Sequence, residues 1–306
     1  MASVLGTVSR WYLQTQVRDL LEKCNFDLDQ YRKQFALKAG PFPLMPSGVQ
    51  SRSDKIVGVD CEWLVPRKVL YPDKLVLFFH GGGFVLDIQK SHYEFCASMA
   101  RALGVKFLLV KYRLAPEHPF PAAPEDCFAV YRELLAGGVK AKHVIFAGDS
   151  AGGGLALSTV AMAQTARLDL PAGLIAMSPV TGFGFSKWQD GVAGDSDQMF
   201  SRATFEYFVR QYVGSAQIRE DVRLMPIMTG FKGFPPLLVT ASENEFLYPE
   251  SSEAVALAKQ NGVEVEFYTA KDLFHVFPLM GLLPEARAVR GKMLAFVRKV
   301  WALPVR

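Results

Sequence analysis

Along most of the chain, short continuous apolar runs alternate with longer stretches whose apolar residues recur every three or four positions. The runs Leu75–Phe79, Val105–Tyr112, Val144–Ala147, Leu174–Met177, Leu237–Ala241 and Val263–Tyr268 have strand length and β-prone composition, as does Ile56–Val65. Between and after them the spacing predicts helices over His92–Leu103, Pro124–Ala136, Gly153–Ala166, Ser251–Gln260 and Glu285–Trp301. Strands separated by helix-length segments pair in parallel, and strands apolar throughout need cover on both faces. The pattern therefore predicts an α/β fold with a mostly parallel central sheet flanked by helices.

Two stretches interrupt this alternation. In the first, reaching to about Ser53, residues Leu13, Val17, Leu20, Leu21 and Cys24 follow helical spacing, and a Pro/Gly-rich link follows from Gly40 to Pro46. In the second, roughly Gly182 to Thr229, residues Phe200, Phe205, Phe208, Val209 and Tyr212 again keep helical spacing, after a Ser201 suited to cap a helix. Such helices either complete the core or cover one end of the sheet.

Composition narrows the class. With 306 residues, 50% hydrophobic and 21% charged, the chain can bury one large α/β domain with an insertion. The net charge of +4 is spread out, with no basic run, so nucleic acid is not expected as a partner. The four cysteines, Cys24, Cys61, Cys96 and Cys127, form no C-x-x-C and are expected to be free thiols. Met1–Arg10 lacks the basic start and apolar core of a signal peptide, and no uncharged run reaches membrane-span length. A cytoplasmic protein without stable membrane insertion is expected. Neither G-x-G-x-x-G nor G-x-x-x-x-G-K-(S/T) occurs, and no cofactor or metal is expected.

The chemistry is concentrated in two glycine-rich turns. Val144–Ala147 runs into Gly148-Asp149-Ser150-Ala151-Gly152, and a helix-forming stretch follows. This is G-x-S-x-G in strand–turn–helix context, the setting that raises one serine hydroxyl above a sheet at a helix N-terminus. The second turn, His80-Gly81-Gly82-Gly83, ends the run Leu75–Phe79. Glycines there leave backbone N–H groups unobstructed toward an oxyanion. A serine needs a base. Of the five histidines, His80 belongs to the glycine loop and is read as shaping it, and His143 starts the strand before the elbow. His92 and His118 precede Ser150, whereas His275 follows the last strand, in the Ser–acid–His order of α/β-hydrolases. The acid should follow Leu237–Ala241, where Glu243 and Glu245 compete. Asp149 is read as holding the elbow or its neighbours by hydrogen bonds, and Arg113 with Glu117 as a structural polar pair.

His80–Gly83, Tyr112-Arg-Leu-Ala-Pro-Glu117 and Gly148-Asp-Ser-Ala-Gly-Gly153, in this order, resemble the hormone-sensitive-lipase-like esterases with the GDSAG elbow. The likeness runs from about Val57 to the C-terminus. The resemblance implies an α/β-hydrolase fold with a helical cap built from residues 1–53 and an insertion at about 182–229, on a catalytic domain of residues 54–306. The family's acid loop, set against Ser242–Glu250, puts the acid on Glu245, although Ser242 replaces a glycine and Pro249 an aspartate.

The resemblance also implies hydrolysis of small, short-chain acyl esters. Ser150 is the expected nucleophile, His275 the base, Glu245 its partner, and the N–H groups of Gly82, Gly83 and Ala151 the oxyanion donors. The expected partner is a small-molecule ester, and a homodimer is left open. Two other functions fit the motifs: a non-catalytic small-molecule receptor on this fold, and an amidase or lactonase using the same triad.

Overall fold

A computed structural model of the chain describes residues 2–38, 47–182, 197–214 and 221–304. Its strands join in one eight-stranded sheet. In chain order these are β1 (Val49–Ile56), β2 (Val59–Pro66), β3 (Leu75–Phe79), β4 (Lys106–Lys111), β5 (Val144–Asp149), β6 (Gly173–Met177), β7 (Leu237–Ser242) and β8 (Val265–Ala270). The spatial order is β1-β2-β4-β3-β5-β6-β7-β8. β2 is antiparallel to both its neighbours, and every pair from β4 to β8 is parallel.

Successive side chains of a strand point to opposite faces, and two cores result. Leu75, Leu77 and Phe79 of β3 join Val144 and Phe146 of β5 on one face, under α5 (Ala122–Ala136), α6 (Ala151–Thr165) and α8 (Tyr248–Gln260). Val76, Phe78, Ile145 and Ala147 enter the other, under α4 (Lys90–Leu103) and α9 (Pro284–Val300). Removing each large side chain from water contributes roughly 1.5–3 kcal/mol, which is why these strands are apolar on both faces.

The strand order also locates a crevice. The chain leaves β3 toward β4 on one side, then crosses back to place β5 on the other. At such a reversal the connections diverge and open a cleft outside the carboxyl ends of the strands. Both glycine-rich turns border it, because one follows β3 and the other ends β5.

Several expectations are corrected. The single strand expected over Ile56–Val65 is a hairpin, with β1 paired to β2 from Val49↔Pro66 to Ile56↔Val59. Val57 and Gly58 take φ of 44° and 85°, as a two-residue hairpin turn requires. The boundary expected at Ser53 therefore falls inside β1. The N-terminal amphipathic stretch is broken into α1 (Val4–Gln16), a short α2 (Leu20–Lys23) and α3 (Leu28–Lys38), although all five residues of its apolar face are buried. Arg113 does not pair with Glu117. It binds Asp126 at 2.7 Å, while Glu117 accepts from Arg32 of α3 at 2.6 and 3.0 Å.

The insertion contributes α7 (Arg202–Val213), capped by Ser201, whose Oγ accepts from Thr204 N–H at 3.1 Å. The Gly40–Pro46 link and residues 183–196 and 215–220 of the insertion lie outside the described residues. α7 packs on the N-terminal helices through Tyr31–Phe208 and Phe26–Tyr207 ring contacts at 5.8 and 5.6 Å, and Ser201 Oγ donates to Glu22. The two stretches that interrupt the alternation thus meet in one layer. Arg32 ties that layer to the domain below, donating to the carbonyls of Val85 and Ala115 at 2.9 Å as well as to Glu117. Among the described residues no helix is long and apolar enough to cross a membrane.

Candidate active site

Ser150 stands between β5 and α6 with φ 52° and ψ −120°, a conformation an L-residue adopts only when its surroundings impose it. The neighbouring strand imposes it: Ser150 N–H donates to Met177 O at 2.7 Å, and Val180 N–H donates to Ser150 O at 3.1 Å. The turn must also press against β3, so a Cβ at Gly152 would collide with the carbonyl oxygens of Phe79 and His80. Ala151 opens α6, which directs the positive end of the helix dipole toward the serine.

Asp149 joins the two turns. Its Oδ1 accepts from Gly81 N–H at 3.0 Å, and its Oδ2 is 3.2 Å from His92 Nε2. Gln89 N–H donates to His92 Nδ1 at 2.8 Å, so Nε2 carries the proton and donates to Asp149. The bonding role read for Asp149 in the sequence is the one its geometry shows. His80 stacks on Tyr112 at 4.3 Å, and the Tyr112 hydroxyl donates to His80 O at 2.7 Å. Burial, and then the nearby His92, push the His80 pKa down to about 4. A neutral ring wedged in this way shapes the loop. With Gly81 N–H bonded to Asp149, Gly82 and Gly83 come next, and Gly83 takes φ 61° directly beneath the Phe208 ring, where a Cβ would collide.

His275 and Glu245 meet in the interior, 3% and 0% exposed, with His275 Nδ1 3.4 Å from Glu245 Oε2. Glu243 lies apart from them, accepting from Thr269 Oγ1 at 2.9 Å near the surface. Burial pushes the Glu245 carboxyl up, against the opposing pull of His275 and Ser178. Burial also works against a charged His275. The Glu245 hydrogen bond and charge, helped by Asp197 and Asp149, outweigh it, and the pKa of His275 lies above its ordinary value.

Ser178 and Asp197 complete the site and were not anticipated. The Ser178 hydroxyl donates to Glu245 Oε2 at 2.8 Å and accepts from Val276 N–H at 3.3 Å, linking the acid to the residue after His275. One signal was available: Ser178 directly follows an apolar parallel strand, where side chains face the crevice. Asp197 lies in the wall of the same cavity as Ser150 and His275, with Gly83, Phe84, Phe200, Phe205, Phe208 and Phe246 among its neighbours. The Phe200 ring meets the His275 ring nearly edge-on at 5.4 Å. Among the described residues no cluster of His, Cys, Asp and Glu is placed to hold a metal ion.

Comparison with known proteins gives the family. Residues 76–279 match a family model described as alpha/beta hydrolase fold. An acetyl-hydrolase of Streptomyces hygroscopicus is 30% identical over 78% of this chain and 79% of its own length. An esterase of Acinetobacter venetianus is 30% identical over 83% and 84%. Among solved structures, a hormone-sensitive lipase from a metagenome library superposes with TM-score 0.82 at 30% identity, covering 90% of this chain and 91% of that one. An esterase of the bacterial hormone-sensitive lipase family superposes with TM-score 0.87 at 27% identity, covering 98% and 100%. The chain therefore belongs to the alpha/beta hydrolase fold family, within its hormone-sensitive-lipase-like esterases, and is a carboxylic ester hydrolase.

Proposed function

We propose that Ser150, His275 and Glu245 form the catalytic triad of this esterase and that its substrates are short-chain acyl esters. The observation that carries the reading is the buried His275–Glu245 contact at 3.4 Å, with His275 and Ser150 in the wall of one cavity. His275 Nδ1–H donates to Glu245, which leaves Nε2 as the basic nitrogen, and Nε2 has no hydrogen-bond partner among the described residues. Nε2 takes the Ser150 proton as Oγ attacks the ester carbonyl carbon. The carbonyl oxygen, now negative, is received by the N–H groups of Gly82, Gly83 and Ala151. As the tetrahedral centre collapses, His275 returns the proton to the departing alcohol. Water, deprotonated by the same nitrogen, then attacks the acyl-enzyme and releases the carboxylic acid.

Phe84, Phe200, Phe205, Phe208 and Phe246 give the cavity an apolar, bulky wall, and the Phe208 ring leans on Gly83. A wall of rigid rings this near the proposed oxyanion donors favours small acyl groups. The related acetyl-hydrolase and an ethyl acetate hydrolase of Pseudomonas putida, 30% identical over 69% of this chain, carry names consistent with that preference. α1–α3 and α7 act in this reading as a cap. The test is a series of p-nitrophenyl esters of increasing acyl length, run beside matched amides and lactones. kcat/KM should peak among the shortest chains and be far lower for the amides. A maximum at long chains would overturn the substrate reading, and amides or lactones turned over as well as esters would overturn the preference for esters.

A further inference from the structure

Asp197 opens the segment that leads into α7, and it is 1% exposed. A carboxylate taken out of water is costly unless its oxygens are well bonded. Both are. Oδ1 accepts from the N–H groups of Met199 and Phe200 at 2.7 and 3.1 Å, and Oδ2 accepts from Phe246 N–H at 2.8 Å. The two oxygens serve different parts of the chain, one the adjoining turn and the other a backbone 49 residues from Asp197. One holds the backbone that presents Phe200, whose ring packs against His275. The other holds the backbone immediately after Glu245. The Phe246 ring in turn stacks on Phe205 of α7 at 4.9 Å. A neutral Asn or Ser could form the turn at Met199 and Phe200 with a single oxygen. The second oxygen and the negative charge exceed what that turn requires.

We propose that Asp197 is a positioning residue for ester hydrolysis, its carboxylate fastening the aromatic layer to the acid loop and so holding His275 and Glu245 in register with Ser150. The inference rests on the Ser150–His275–Glu245 reading. It has an electrostatic side as well. His275 becomes cationic each time it takes a proton, and the anions that favour that cation are Glu245, Asp197 and Asp149. Asp197 also acts on Glu245, raising its pKa. Through its direct effect on His275, Asp197 favours the imidazolium without being its hydrogen-bond partner.

The test is Asp197→Asn in the full chain, with kcat, KM and the pH profile of kcat/KM measured on a short p-nitrophenyl ester. Asn keeps the shape, removes the charge and turns an NH2 toward one of the N–H donors. kcat should fall roughly tenfold, as expected for a small misplacement of reacting groups, while KM changes less. The acid limb should move to lower pH. Asp197→Ser, which can still make the local turn but reaches neither Phe246 nor a charge, should move the limb the same way if the Asn variant folds poorly. Phe200→Leu supplies the contrast: it removes the ring from His275 and leaves the charge, so it should change the acyl-length profile with the limb in place. An unmoved limb in both Asp197 variants overturns the inference, even if kcat falls, because a purely structural contact would lower the rate without shifting a titration. Ser150→Ala separates the two levels. If it retains turnover, the triad reading fails; if it is inactive while the Asp197 variants behave as wild type, only the role of Asp197 fails.

Discussion

Leu77, Phe78 and Phe79 of β3 are completely buried between two layers of helix, whereas Val4, Val8 and Trp11 of α1 stand in water in the layer above. Every residue of β3, β5, β6 and β7 is buried. Their hydrogen bonds run to neighbouring strands in continuous parallel register. The layer of α1–α3 and α7 has no strand pairing and is held by side chains: buried apolar residues such as Leu13, Leu21 and Phe208, tilted ring contacts and a few ion pairs. Serine, histidine, acid and glycine loop all follow strands, where backbone position is over-determined. The layer supplies Phe200, Phe205, Phe208 and Val209 to a cavity wall that Phe84 and Phe246 complete from below. In the proposed reading, chemistry sits at the strand ends and selectivity in the layer above, so the two should respond separately to mutation.

The largest effect should come from the strand ends. Ser150→Ala should lower kcat/KM by about 10⁴-fold or more while leaving the melting temperature within a few degrees, since the side chain borders the cavity and the change is one atom. A serine-directed organophosphate should label the wild type at this residue and leave the variant unlabelled, which peptide mass mapping reads.

Next comes the acid. Glu245→Gln should cost on the order of 10²–10⁴ in kcat. It also tests the titration. Because the His275 pKa is raised, the neutral base is lost as pH falls through a value above the ordinary ~6.5, and activity should drop on that acid side. Removing the Glu245 charge withdraws the largest stabilisation of the cation, so residual activity should persist to lower pH. Glu243→Gln, on the surface side of the loop, should change kcat less than twofold by the usual scale of exposed charges. Equal losses in the two variants would place the acid elsewhere.

In the layer, Phe208→Ala should leave the acid limb alone but destabilise the protein by about 3 kcal/mol, since a buried ring is lost. It should also open the space above Gly83 and move the kcat/KM maximum toward longer acyl chains. A change in the pH profile rather than in chain length would mean that the division between layer and strand ends is false.

The smallest effect belongs to Arg32→Ala. The Arg32–Glu117 pair is half-exposed, so the charge contact contributes only ~0.2–1 kcal/mol, and the lost bonds to Val85 O and Ala115 O add modestly. Glu117 is held down to about 2, first by the Arg32 hydrogen bond. That contribution is present above the unfolded carboxylate range and fades as pH falls through about 2. Denaturation midpoints of wild type and variant should therefore differ at neutral pH and draw together as the pH is lowered toward the Glu117 titration.

The middle of the sheet was legible because β3, β5, β6 and β7 must be apolar on both faces and so read as short apolar runs. β1 was missed for the same reason: Ser51, Arg52, Ser53, Asp54 and Lys55 are exposed, so it carries no periodic signal. The N-terminal apolar face was read at the right residues but as one helix, since burial sets the spacing and the break near Val17 is settled by packing. Motif order pointed to Ser150 and His275, and the family likeness chose Glu245 over Glu243. Ser178 and Asp197 are defined by contacts across 67 and 49 residues, which local pattern does not record. Arg32–Glu117 was mistaken for an Arg113 pair because sequence proximity suggested a contact that a partner 85 residues away makes instead.

The meeting of two glycine-rich turns also bears on what mutational screening can see. The proposed anion receptor is made of main-chain N–H groups at Gly82, Gly83 and Ala151, and the last is already alanine. Stripping side chains one at a time would pass over it in silence and credit the whole rate enhancement to Ser150, His275 and Glu245. The proposed receptor follows from the path the backbone takes and is most vulnerable to added bulk. Asp149 is one side-chain handle on it, accepting from Gly81 N–H. A saturation library should thus show a footprint of positions intolerant of gain and indifferent to loss, tracing the receptor by what cannot be added.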